Sequence, residues 1–206
     1  MIEKSTNIDE YFTPDTAAEA EIKIKGSKFI ARVIPVRSKK EAEDNYAALK
    51  KKYYDATHNC FAYRINEQVF RYSDDGEPSG TAGKPIYQVL EAARLNEILC
   101  VVTRYYGGTK LGTGGLIRAY SQAAKLALDN TKIKIKVFTQ LITLKFSYEL
   151  ENLVRNTINE FKGSIGSSDY SDHIVMDVKI PQSKHGLFRE KLTELSNSTI
   201  KIIMAE

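Results

Sequence analysis

The 206 residues carry 30 Lys and Arg against 26 Asp and Glu, a net charge of +4, with 42% apolar side chains, two Cys and no Trp. That balance excludes a disordered polymer, and a chain of this length buries about 70% of its surface on folding. The longest apolar run, the five residues 98–102, is far short of the roughly 20 needed to span a bilayer, so no membrane segment is expected.

The N-terminal MIEKSTNIDEYF mixes both signs of charge and lacks the apolar segment of a secretory signal. Residues 1–18 read as a polar, partly mobile lead. Residues 21–36, EIKIKGSKFIARVIPV, read as two strands around a turn at Gly26-Ser27. Ser38 and Glu41 have the spacing of a capping box, in which the Ser hydroxyl accepts from the third helical N–H and the Glu reaches back to the cap; the spacing predicts a helix over 39–54. Residues 58–65 and 68–73 form an expected hairpin around Asn66-Glu67. The irregular loop DDGEPSGTAGKP, 74–85, then leads to a helix from Pro85 to about Asn96.

Residues 98–106, ILCVVTRYY, are apolar from the start, as suits a central strand buried on both faces. GGTKLGTGG, 107–115, follows, and then a helix begins with LIRAYSQAA. In KIKIKVF, 132–138, the lysines and the apolar residues alternate, which predicts a half-buried strand with Ile133, Ile135 and Val137 inward. The remainder reads as strand 141–147, helix 149–161, strands 164–170 and 173–180, helix 183–196 and strand 199–204. This βαββαβ order is the ferredoxin-like split βαβ unit. The expected domains are residues 1–135 and 136–206, an α+β architecture throughout.

Charge does not distinguish the two parts. Residues 1–130 carry 19 basic minus 17 acidic side chains, and residues 131–206 carry 11 minus 9, so each part is +2. Local clustering is more informative. Five of the 12 glycines, Gly107, Gly108, Gly112, Gly114 and Gly115, lie in nine residues flanked by Arg104, Lys110 and Arg118, a +3 stretch without an acid. A glycine loop between a buried strand and a helix start presents free N–H groups at the positive end of a helix dipole, where phosphate or carboxylate is the natural guest. The P-loop pattern fails because Gly112 is followed by Thr113-Gly114, and the dinucleotide pattern fails at Ile117. A tight turn alone is the structural alternative, although one or two glycines would suffice for it.

Tyr105, Tyr106 and Tyr120 bracket this loop among basic residues, the pattern for stacking on bases beside phosphate contacts, unless they are core tyrosines. The 74–85 loop, with Asp74, Asp75, Glu77, Ser79, Thr81 and Lys84, is the candidate second wall of the site. Its three carboxylates could hold a hard cation or simply solvate a turn. His58 and Cys60 share a strand face, which suits either a nucleophile pair or, more simply, core packing. Cys60 and Cys100 stand without a CxxC pair or a metal-spaced Cys/His cluster; buried thiols in a cytoplasmic protein, with no metal and no cofactor, are expected.

The strings DDGEPSGTAGKPI, 74–86, and VVTRYYGGTKLGTGGLIRAYS, 101–121, closely resemble the IMPACT/YigZ family, with Tyr106 where that family usually has Phe. The resemblance covers roughly residues 1–130 by sequence, and the tail by element order. It implies a first domain of the ribosomal-protein second-domain fold, similar to domain IV of elongation factor G, and a second similar to domain V of that factor. It also implies RNA or ribosome binding and a role in translation regulation, with no established reaction. Eukaryotic members regulate the general-control kinase through a separate N-terminal domain; with strand-like sequence starting at Glu21, that role is not expected here. RNA or the ribosome is therefore the expected partner, at Arg104, Lys110, Arg118 and the loop amides, with Tyr105 or Tyr120 stacking. The rival readings are a phosphate-ligand enzyme using the same loop with an acidic metal site, and a protein-interaction module.

Overall fold

The computed structural model describes residues 8–204. These form two compact units, residues 11–136 and residues 137–204 with 8–10, each around its own apolar core. Among the described residues no helix is long and apolar enough to cross a membrane.

The stretch expected as a mobile lead contains a strand, β1 (Glu10–Pro14); residues 1–7 lie outside the described part. Tyr11 and Thr13 are buried there, and the Tyr11 hydroxyl donates to Glu97 at 2.8 Å. The main sheet of the first unit then begins with the expected hairpin, β2 (Ala18–Ile24) and β3 (Ser27–Pro35). Helix α1 (Lys39–Lys52) follows. Its Ser38 hydroxyl accepts from Glu41 N–H at 3.2 Å, while the Glu41 carboxylate accepts from Arg37 N–H at 2.7 Å, one residue before the cap it was expected to reach.

Strands β4 (His58–Arg64) and β5 (Phe70–Ser73) form the second hairpin, α2 spans Gly83–Ala92, and β6 is Ile98–Tyr105. The antiparallel sheet has the order β2-β3-β6-β4-β5, so β6 is central. Both of its faces are covered, which explains its unbroken apolar run. Cys100 and Val102 face α2 and α3 (Thr113–Asp129), whereas Leu99 and Val101 face α1. The seven buried residues of α3 include four alanines, small enough to let the helix lie close on the sheet.

β7 (Ile133–Val137) pairs with β1 in a separate two-stranded ribbon, and its sidedness departs from expectation. Ile135 is 57% and Val137 40% exposed, and of the three apolar residues Ile133 alone is packed against the first-unit core. Lys136 is half-buried against Glu97, and Lys134 bonds to Asp15 at 2.6 Å. The ribbon is thus held on both sides, by Ile133 against the core and by the two lysines on acidic partners.

The second unit runs β8 (Thr139–Phe146), α4 (Glu151–Glu160), β9 (Ser164–Tyr170), β10 (Ile174–Pro181), α5 (His185–Leu195) and β11 (Lys201–Met204), the expected βαββαβ order. Its antiparallel sheet has the order β11-β8-β10-β9. Ile174, Met176, Val178 and Ile180 of β10 alternate into a core shared with Val154 and Ile158 of α4 and with Phe188 and Leu192 of α5. On the other side of β10, Asp177 accepts from the hydroxyls of Ser167 and Thr143, each at 2.6 Å. These two bonds, Ser167 first, hold its carboxyl below the usual aspartate range. A lowered folded pKa stabilises above the unfolded value, about 3.9, and that contribution is lost as pH falls through the folded value. Asp177→Asn should therefore unfold at lower urea than the parent at neutral pH, with the gap closing as the solution is acidified below about pH 4.

Candidate functional site

The apolar sheet of the first unit ends in a polar cluster. Arg104, near the end of β6, is 5% exposed and donates to Glu77 at 2.5 Å and to the Ser27 hydroxyl at 3.3 Å. The Tyr120 hydroxyl, from α3, donates to the same Glu77 oxygen at 2.8 Å. Burying a carboxylate is costly unless charge and hydrogen bonds compensate it, and here a guanidinium and a phenol do so. Two expectations are corrected. Arg104 spends its charge inside the fold, and Tyr120 is fully buried with its ring edge-on to Phe29, which leaves no face for a base.

The acidic loop is equally occupied. Asp74 accepts from the N–H groups of Gly80 (2.8 Å), Ala82 (3.0 Å) and Gly83 (2.8 Å), and so caps α2, whose own N-cap residue, Ala82, has no side-chain acceptor. Asp75 accepts from Asn59 N–H and from Lys50, each at 2.7 Å. The three carboxylates thus diverge into separate structural roles, and no cluster of three metal-ligating side chains occurs among the described residues. Thr81 is buried, its hydroxyl donating to the Pro78 carbonyl at 2.6 Å, while Ser79 and Lys84 are exposed.

Strand alternation separates the expected tyrosines. Tyr105 lies on the opposite face of β6 from Arg104, with its hydroxyl on Asp55 at 3.0 Å, so it does not join the glycine loop. Tyr106 does: its ring is 46% exposed, 5.5 Å from the Arg104 guanidinium, and its N–H donates to the Thr57 hydroxyl at 2.9 Å.

The loop itself is shorter than expected, because Gly114 and Gly115 belong to the first turn of α3. Gly107 is required sterically: a Cβ there would sit 1.8 Å from the Gly26 backbone, and its N–H donates to Ser27 at 3.1 Å. Gly112, the N-cap of α3, has φ of 71° and offers no side-chain cap. Gly114 is the contrasting case; a Cβ would meet one atom within 4 Å, Arg118 Nη1 at 3.7 Å. Lys110 and Arg118 are exposed beside this helix start.

A cleft of about 410 Å³ opens here, walled by Pro78, Tyr106, Leu111 and Leu116 and lined by Lys110 and His58. His58 Nδ1 lies 2.8 Å from the Asp75 carbonyl, so that nitrogen is the donor in the neutral ring, while Nε2 is 3.9 Å from Glu77. Of the two readings of His58 and Cys60, core packing is the one the structure fits, since the Cys60 thiol is buried, donates to the Asp74 carbonyl at 3.0 Å and has its pKa raised by burial. Burial likewise pushes the Cys100 thiol up to about 12. Pro78, Leu111 and Leu116 carried no sequence signal for a site. Tyr106 did, through its place among basic residues.

These features define a two-domain protein of mixed helices and antiparallel sheets whose first domain bears a glycine-rich cleft with exposed basic residues at a helix start. Residues 25–128 match the family model described as "Impact N-terminal domain", and residues 144–199 match "Domain of unknown function (DUF1949)". The chain is 36% identical to IMPACT family member YvyE of Bacillus subtilis over 92% of this chain and 88% of that protein. It is 30% identical to IMPACT family member YigZ of Escherichia coli over 97% and 100%. A solved structure titled "Crystal structure of an hypothetical protein" superposes with a TM-score of 0.70 at 30% identity, over 97% of this chain and 99% of that one. The chain belongs to the IMPACT family.

The glycines separate packing from access. Gly107→Ala should cost ~3 kcal/mol in urea unfolding, since backbone has to move. Gly114→Ala should instead raise stability by about 0.5–1 kcal/mol, the ordinary gain of alanine in a helix. A thiol-exchange reagent should label neither cysteine in the native protein and both in denaturant, because thiolate and access are both missing in the fold.

Proposed function

We propose that the protein binds RNA or the ribosome in the cytoplasm, with a role in translation regulation, through the glycine-rich loop and the start of α3. The observation that carries this reading is the pairing of exposed Lys110 and Arg118 with an α3 N-terminus that has no side-chain cap. Phosphate oxygens suit the N–H groups and positive dipole of such a helix end, and two cations beside it add affinity independent of sequence. The reading extends to the fold: a first domain of the ribosomal-protein second-domain type, as in domain IV of elongation factor G, and a second like its domain V. The βαββαβ order and β11-β8-β10-β9 sheet support the latter.

A phosphate-bearing small molecule on the same loop is the second reading, favoured by the size of the cleft. Its acidic metal site is not retained, because Asp74 and Asp75 are occupied by backbone amides and Lys50.

Lys110→Ala and Arg118→Ala should each weaken binding to single-stranded RNA and flatten the slope of log affinity against log salt by about 0.7. Unchanged affinity and slope in both variants would reject the reading. Arg104→Ala should behave differently, destabilising the fold by about 3–5 kcal/mol by stranding Glu77. Salt titrations of binding and urea unfolding of the same variants separate the two effects.

A further inference from the structure

Resting on RNA as the ligand, the geometry points to a more specific occupant of the cleft: we propose that it takes up one unpaired nucleotide of a strand, its base against Tyr106 and its phosphate on Lys110.

Volume and wall chemistry support this. About 410 Å³ lies at the small end of the range for ligand clefts, ~300–1,000 Å³, and suits one nucleotide rather than a duplex, whose bases are stacked away from contact. Pro78, Leu111 and Leu116 give apolar walls, and Tyr106 adds an exposed aromatic ring. That ring is already braced, by its main-chain bond to Thr57 and by the Arg104 guanidinium. A base therefore stacks on it without first ordering it, and stacking is tolerant of base identity because every base has a π-face.

Charge and hydrogen bonding fit the same occupant. Of the charged residues lining the cleft, Glu77 and Arg104 neutralise one another, which leaves Lys110 as the net charge, +1 against one phosphodiester. Arg104 and Tyr120 both donate to Glu77 Oε1, and the guanidinium counters its charge, so Glu77 does not act as a bare anion facing the ligand. His58 donates from Nδ1 to Asp75, so in the neutral ring Nε2 is left as an acceptor for a base N–H. The α3 start at Gly112 and Thr113 suits the phosphate, while the wall of Pro78, Tyr106, Leu111 and Leu116 gains nothing from a bare anion and is covered only when a base accompanies it.

The test measures binding of the full-length protein to a single-stranded RNA hexamer, to the same backbone with abasic residues, to a blunt duplex of the same sequence and to a free 5′-mononucleotide. The hexamer should bind about 5- to 100-fold tighter than its abasic form, the range expected for stacking on one aromatic residue. Tyr106→Ala should lose that difference, Tyr106→Phe should keep it, and Lys110→Ala should weaken intact and abasic strands by the same factor. Because Tyr106 is exposed, its variants should melt with the parent, and circular dichroism melting curves check this. Equal binding of intact and abasic strands, with Lys110→Ala still weakening both, would overturn the inserted base and leave RNA binding standing. A mononucleotide or duplex that binds as tightly as the hexamer would also overturn it. No binding by any of the four would overturn the RNA reading itself.

Discussion

The buried ion pair between Arg104 and Glu77 is the contact on which the first unit's functional end depends. Neither charge can be left alone away from water, and the chain adds partners to both, the Tyr120 hydroxyl from α3 for Glu77 and the Ser27 hydroxyl from β3 and the flank of Phe29 for Arg104, whose Nε alone is buried without a hydrogen bond. These partners come from positions as far apart as 27 and 120. Satisfying one carboxylate thus ties the central strand, the acidic loop, the β2–β3 turn and α3 together. With Glu77 held, Asp74 is placed to cap α2 and Asp75 to hold Lys50 and the start of β4. The cleft is the space left between these fixed pieces.

This arrangement divides the loop's chemistry in two. Gly107 and Ser27 serve packing: the β2–β3 turn and the end of β6 approach so closely that no side chain fits at Gly107. Lys110, Arg118 and Tyr106 serve the outside, since the fold leaves them exposed beside a helix end without a side-chain cap. Net charge is a poor guide to such a surface. The flank of 104–118 is +3 in sequence, but burial against Glu77 removes Arg104 from what a ligand meets.

Periodicity made much of the architecture legible. The apolar run of β6 implied a strand covered on both sides, and the element order of the last 70 or so residues was readable because each strand and helix there has its own repeat and turn chemistry. The errors came where a short segment takes its environment from distant residues. β1 is five residues long and shows too little pattern to be read as a strand. β7 alternates in sequence, but only Ile133 reaches the first-unit core, while Ile135 and Val137 stay exposed and Lys134 and Lys136 pair with Asp15 and Glu97.

The sequence by itself determined the two-domain α+β plan, the family membership and the glycine-rich segment that carries it, because local periodicity and a long motif are properties of consecutive residues. Tertiary structure decided which of the candidate residues reach a ligand. Arg104 and Tyr120 turned inward, Tyr105 went to the opposite face, and Asp74 became the cap of a helix eight residues away, while Tyr106, His58 and Pro78 came together around a cleft. Burial and the pairing of charges depend on residues far apart in the chain, and linear spacing carries no information about which of them will meet.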